Sequence, residues 1–291
     1  MPQTDLLEAL RETERVVAAE LRPPRAELTA SDGMDAWIDT YHAVRGLTRQ
    51  RTFVFLTDSA VGANEEDNLR HLIANLGRDV PLERVVPFLT SKHSLQYCFS
   101  YTERAQQHGF KALVVLGGDK TVGAPRVLPH AWQLREWLRN KGATLTFGGW
   151  ANPNAEPERQ VDHLLAANVH AEFYLTQIVS HHTMAPVRRF LENGRRRGLT
   201  LPGLFGVFFY RSANPRTLDA LSTFMPVPAA ALAREFAEGA SAVTVCARTI
   251  RALADAGARH IYISNLPAGR AASILTDILA EAAADDARPH E

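Results

Sequence analysis

The chain has 291 residues, 46% of them hydrophobic, and 32 basic and 32 acidic side chains that cancel to a formal net charge of zero. The apolar share is ample for a large core, and the charge balance supplies no global field for nucleic acid or an anionic membrane, so neither is expected as a partner. Two cysteines (Cys98 and Cys246) without CxxC or metal-ligand spacing, no apolar run near the roughly 18–20 residues that cross a bilayer, and an acidic N-terminal stretch without secretory-signal character predict a soluble, cytoplasmic protein.

In chain order, residues 4–14 read as a short leading helix. A first apolar run, Val16–Ala19, stops at Glu20, and a helical pattern follows at Asp35–Leu47. The second run, Thr52–Leu56, stops at Thr57 before the helix Glu65–Leu76. The third, Val85–Leu89, stops at Thr90 before a helix at Ser100–Gln107. The fourth, Ala112–Leu116, leads through Gly117 and Gly118 to Asp119, and its helix Ala131–Arg139 is closed by Asn140-Lys141-Gly142. The fifth, Thr144–Phe147, leads to Trp150 before Glu156–Asn168. The sixth, Glu172–Leu175, leads to Gln177 before His182–Arg196, which Arg197-Gly198 closes. The basic cluster Arg195–Arg197 suits the negative end of that helix dipole and reads as a solvated helix end.

The seventh run, Leu204–Phe209, stops at Tyr210 and is elaborated. Two short helices, 215–223 and 229–237, are split by Met225-Pro226-Val227-Pro228, and a longer one spans Ser241–Ala256. The eighth run, His260–Ile263, leads to Asn265 before a last helix at Ala268–Ala284. Buried parallel strands read as short apolar runs separated by long amphipathic crossovers. Eight such units in about 250 residues predict an α/β fold, a single (β/α)8 TIM barrel with a leading helix and extra helices after strand 7. One domain spans 1–284, and 285–291 is a polar, fraying tail.

In such a barrel all strand C-termini converge on one rim, so residues far apart in sequence line one pocket. Glu20 is a carboxylate at a buried strand end, held by Pro23-Pro24. Burial would raise its pKa and make it a general acid; the alternative is a pair with Arg22 or Arg25. Asp119 follows a glycine pair that lets backbone approach a ligand, though Gly-Gly-Asp also makes a good turn. Gln177 offers a donor and an acceptor to a heterocycle edge, or a cap to the next helix. Phe205, Phe208, Phe209 and Tyr210 offer an aromatic wall or plain core. Adjacent His181 and His182 point in different directions, with no acidic partner at helix spacing, so no metal site is expected.

Taken together and in this order, the fragments resemble the catalytic barrel of methylenetetrahydrofolate reductases. Ala19-Glu20-Leu21-Arg22-Pro23-Pro24-Arg25 is similar to that family's first-strand F-E-F-F-P-P-(R/K). Phe88-Leu89-Thr90-Ser91 is similar to its H-L-T-C, Leu116-Gly117-Gly118-Asp119 to its L-R-G-D, and Leu175-Thr176-Gln177 to its I-T-Q. Ile261-Tyr262-Ile263-Ser264-Asn265 is similar to its F-Y-T-L-N. The resemblance implies that Glu20 protonates the folate and that Asp119 contacts the pterin and tunes a flavin. It further implies that Gln177 binds the pterin and that Thr57 touches the flavin. The implied reaction interconverts 5,10-methylenetetrahydrofolate and 5-methyltetrahydrofolate with NADH or NADPH, with FAD as the family's hydride carrier.

The departures fall mostly at positions the family uses for FAD. Gly117 stands where arginine is expected, Asn154 where histidine is, Leu165 and Ala166 near an expected basic pair, Phe88 for histidine, and Asp58-Ser59-Ala60 for Tyr-Gly-Ala. A pyrophosphate without its basic partners loses charge-assisted hydrogen bonds of roughly 1.5–3 kcal/mol each. The expectation is therefore weakly bound FAD or direct hydride transfer from the nicotinamide. The competing reading is a non-catalytic folate-binding barrel that has lost its cofactor. A homo-oligomer is compatible with either.

Overall fold

A computed structural model describes residues 5–12, 15–24, 28–58, 73, 76, 79–120 and 123–284. Eight parallel strands close into a barrel in chain order. They are β1 (Val17–Leu21), β2 (Phe53–Leu56), β3 (Val85–Thr90), β4 (Ala112–Leu116), β5 (Thr146–Ala151), β6 (Phe173–Val179), β7 (Gly203–Phe208) and β8 (His260–Ser264). Closure is made by β1 on β8, with Val17 opposite Ile261 and Ala19 opposite Ile263.

The strands form because both of their faces are buried. One alternate set, including Ala18, Phe53, Phe55, Val86, Phe88, Val114, Phe173, Leu175 and Tyr262, fills the barrel interior. The other, including Ala19, Leu21, Val54, Leu56, Leu113, Val115, Val207 and Ile263, lies under the helices. Each Val, Leu, Ile or Phe side chain so removed from water contributes about 1.5–3 kcal/mol. This period of two assigns the rim residues as well: Glu20 continues the inward face of Ala18, and Ser264 that of Tyr262. Tyr262 needs Gly206 beside it, because a Cβ there would lie 2.5 Å from the phenolic oxygen.

Around the barrel run α1 (Leu6–Glu12), α2 (Ala30–Arg49), α3 (Leu95–Gln107), α4 (Ala131–Asn140), α5 (Pro157–Leu165) and α6 (Met184–Arg196). Then follow α7 (Pro215–Ser222), α8 (Ala229–Ala237), α9 (Ala242–Asp255) and α10 (Ala271–Ala284). The leading helix and the extra helices after strand 7 are thus present. None of the described helices is long and apolar enough to cross a membrane.

Several expected boundaries shift, each for a local reason. Thr29 caps α2 by accepting from Asp32 N, so that helix starts at Ala30 rather than Asp35. Ser94 accepts from Tyr97 N and starts α3 five residues before Ser100. Strand 5 runs on past Phe147 through Gly148, Gly149 and Trp150 to Ala151. Glu172 lies outside β6, held by Arg139 at 2.6 Å and by Phe147 N at 2.6 Å, whereas β6 itself continues through Gln177 to Val179. Pro157 opens α5, which ends at Leu165 rather than Asn168. Gly142 and Gly198 close α4 and α6 at positive φ, as expected. The second crossover helix, 65–76, lies outside the described residues apart from Ile73 and Leu76, and the tail 285–291 lies outside them entirely.

Candidate active site at the strand C-termini

The β1–β8 seam puts Glu20 beside Ser264, whose Oγ donates to Glu20 Oε1 at 2.7 Å. Burial pushes the Glu20 carboxyl above its ordinary value, and the Ser264 hydrogen bond pulls it partway back. Of the two arginines that a pairing would have used, Arg22 is exposed and Arg25 lies outside the described residues. Under the carboxyl lies Tyr262, fully buried, its hydroxyl donating to Thr176 O at 2.5 Å. Burial raises the Tyr262 pKa, and the nearby Glu20 charge raises it further. Tyr262 therefore forms a neutral floor between β8 and β6, reaching from beside Glu20 to the residue before Gln177.

Gln177 is half-buried and sits where the β6–β7 register slips between Leu175 and Ile178. The slip frees its side chain to turn back: Oε1 accepts from Ile178 N at 2.9 Å, and Nε2 donates to Phe224 O at 3.4 Å. Thr176 Oγ1 accepts the Gly206 N–H at 3.0 Å and so bridges the irregular ladder. The amide thus holds its own strand and the segment between α7 and α8, and it caps no helix. Trp150, 38% exposed on β5, stands on the inward face at the same rim. Of the expected aromatic wall only Phe208 lies on the mouth side, and Trp150, which was not part of that expectation, joins it. Phe205 and Phe209 pack under the helices, and Tyr210 belongs to a small core with Leu218, Leu232 and Val245.

Thr57 follows β2 half-buried, its N–H bonded to Leu21 O at 3.1 Å. Next to it, Asp58 accepts from Thr90 N at 2.7 Å and lies 2.9 Å from His93 Nε2. Asp119 lies three residues past β4, half-buried. Its loop turns at Gly118, which has φ +75°, and the guanidinium of Arg126 covers Gly117 so closely that a Cβ there would lie 2.7 Å from Cζ. Arg126 donates to Gly118 O and, at 3.4 Å, to Pro129 O, while its Nε is buried without a partner. Burial lowers the Arg126 pKa and the Asp119 charge offsets this. Glu20, Gln177, Thr57 and Asp119 are therefore all on one rim, on β1, β6 and the loops after β2 and β4. Sequence reasoning missed Ser264 as the partner of Glu20, and Arg126 as the filler over Gly117. The first had a signal, because residue 264 shares the inward face with 262; the second had none.

Whether a flavin dinucleotide fits can be asked of the donors. Lys92 Nζ donates to Ala124 O at 2.5 Å, Arg126 to two carbonyls, and Asn154 Nδ2 to Ile178 O at 3.0 Å. Lys92, Arg126 and Asn154 are thus each engaged with backbone carbonyls, whereas Lys120 after β4 is exposed. Of the three engaged side chains only Arg126 keeps a buried nitrogen without a partner, so as placed they make no charge-assisted clamp for a pyrophosphate. At the opposite end of the barrel a cleft of about 400 Å3 is lined by Leu10, Arg11, Tyr174, Pro202 and His260, and none of the candidate residues reaches it.

No family model and no curated protein matches the chain. Among solved structures, a tryptophan synthase from M. tuberculosis is similar with a TM-score of 0.47 and 14% identity, over 95% of this chain and 96% of that one. An aldolase, QR15, is similar with a TM-score of 0.45 and 9% identity, over 92% of this chain and 96% of that one. The barrel itself rests on the strand pairing described above.

Proposed function

We propose that this chain is a methylenetetrahydrofolate reductase-like oxidoreductase that takes hydride directly from NADH or NADPH. The observation that carries the reading is Glu20: a carboxyl held inside the mouth, its pKa raised by burial, with the Ser264 hydroxyl as a donor. In the proposed step the Glu20 carboxyl gives its proton to N10 of 5,10-methylenetetrahydrofolate. The bond from N10 to the methylene carbon breaks, leaving an N5 iminium. Hydride from the nicotinamide adds to that carbon and yields 5-methyltetrahydrofolate and the oxidised nicotinamide. Gln177 and Asp119 bind the pterin, and Trp150 and Phe208 cover its faces. Positioned acid catalysis of this kind contributes roughly 10²–10⁴-fold.

The decisive experiment incubates the purified protein with 5,10-methylenetetrahydrofolate and NADH or NADPH carrying labelled hydride, with and without added FAD. The expected outcome is turnover without FAD and label in the product methyl group. Stoichiometric flavin in the purified protein with ping-pong kinetics would overturn direct transfer. Folate binding without turnover under every condition would establish the non-catalytic barrel instead.

A further inference from the structure

The turn after β6 carries two histidines that face one carboxylate. His181–Thr183 form a single 3-10 turn, with Ser180 Oγ accepting from His182 N at 3.3 Å. Instead of diverging, the two imidazoles lie with ring centroids 3.9 Å apart and planes inclined at 38°. His181 Nε2 is 3.2 Å and His182 Nε2 is 2.9 Å from the same atom, Glu235 Oε2. Glu235 comes from α8 and is only 5% exposed. Its other oxygen accepts from Arg248 Nη1 on α9. The acid missing at helix spacing is thus supplied by the insertion after strand 7.

The outer partners fix which nitrogens face inward. His181 Nδ1 lies 2.8 Å from Thr249 Oγ1, and that hydroxyl donates to Val245 O at 3.3 Å. The threonine oxygen therefore accepts the Nδ1–H, and in the neutral ring this leaves the Nε2 lone pair of His181 aimed at a carboxylate oxygen. Two lone-pair groups facing each other in a nearly buried site require a positive charge between them, which a proton supplies as an ion pair and a metal ion supplies as a ligand set. An orienting hydrogen bond on the remote ring nitrogen is the usual support of a ligating histidine.

We propose that His181 Nε2, His182 Nε2 and Glu235 Oε2 bind a divalent transition-metal ion of the zinc class, which clamps the insertion after β7 onto the turn after β6. The three ligand atoms lie within 4.8 Å of one another. Ligands about 2.0–2.1 Å from a tetrahedral ion sit about 3.3 Å apart, so small side-chain shifts close the site around the ion. Two imidazoles and one carboxylate, completed by water, suit zinc and its neighbours and disfavour magnesium and calcium, which take oxygen ligands. Arg248 stays on the outer oxygen of Glu235 and balances its charge. The clamped insertion also carries the Phe224 carbonyl that receives Gln177 Nε2, so the ion steadies a group at the barrel mouth.

The test uses protein stripped with a chelator and dialysed. Equilibrium dialysis with Zn2+ is expected to give one ion per chain, and Co2+ a visible absorption band of four-coordinate character. Zn2+ but not Mg2+ raises the thermal unfolding midpoint. Thr249→Val weakens zinc affinity roughly 10–100-fold, as loss of an outer partner does. His182→Ala abolishes binding at stoichiometric zinc, with its unfolding midpoint in chelator showing that it folds. Absence of saturable one-to-one binding in the unaltered protein, or binding unchanged in both variants, would overturn the proposal and leave the four groups as a metal-free charge network. All these readouts are independent of folate turnover.

Discussion

Ser264 Oγ donates a 2.7 Å hydrogen bond to Glu20 Oε1, joining the last strand to the first across 244 residues of sequence. The bond favours the ionised carboxyl and so opposes the effect of burial. Ser264→Ala removes only that opposition. In the proposed step the Glu20 carboxyl must stay protonated, and it then loses its proton at higher pH. The alkaline limb of the kcat/KM profile is expected to move to higher pH. An unmoved limb would mean that Glu20 is not the group titrating in it.

Glu20→Gln keeps the size and the hydrogen-bonding capacity of the side chain but holds no transferable proton. Folate binding and the unfolding midpoint should be nearly unchanged, while kcat falls roughly 10²–10⁴-fold. Near-wild-type turnover in this variant would remove Glu20 from the chemistry.

Gln177→Ala deletes an amide that also anchors Ile178 N and Phe224 O. Affinity for folate should fall by about 0.5–1.5 kcal/mol, with nicotinamide affinity little altered. Separate titrations of the two ligands check this. Equal losses would assign Gln177 to holding the register slip of β6 rather than to the pterin.

A second titration lies far from the mouth. His260 Nδ1 accepts from Val16 N at 3.1 Å, and burial foremost, then the Arg259 charge, lowers its pKa to about 4, against a backbone hydrogen bond at Leu10 that raises it. The folded state therefore binds fewer protons than the unfolded state between about pH 6.5 and about pH 4. Its stabilising contribution is full above that window and is lost as pH falls through it, by an upper bound of roughly 3 kcal/mol. Denaturant midpoints at pH 7 and pH 5 should differ accordingly. His260→Asn, whose side-chain oxygen can still accept from Val16, should flatten the difference; an identical slope would assign it to other groups.

The barrel is legible in the sequence because strands buried on both faces must be apolar throughout, and the eight runs say so. It is least legible where strands reach the rim. There, inward positions face the mouth and need not be apolar, so β5 continues through Gly148-Gly149-Trp150 and β6 through Thr176-Gln177, although both runs look finished earlier. The rim positions of Glu20 and Gln177 were readable for the same reason that the barrel was, although β1 runs on to Leu21 and β6 to Val179. Contacts made only by folding were not. Nothing local links Gly117 to the Arg126 guanidinium, or His182 to Glu235 53 residues later. A helix-based spacing rule also fails for two histidines in a 3-10 turn, whose rings it wrongly sends apart.

Closure of β1 on β8 also sets an order of events during synthesis. Glu20 leaves the ribosome before its partner, as a water-facing carboxylate on an unpaired strand. Its hydroxyl partner follows 244 residues later, roughly 10–50 s at 5–20 residues per second. Until His260–Ser264 docks, the seam stays open and the acid has neither its low-dielectric surroundings nor its donor. The nascent chain can assemble most of its strands while the Glu20 carboxyl still faces water, because its buried, hydrogen-bonded setting forms only with the final strand of the barrel.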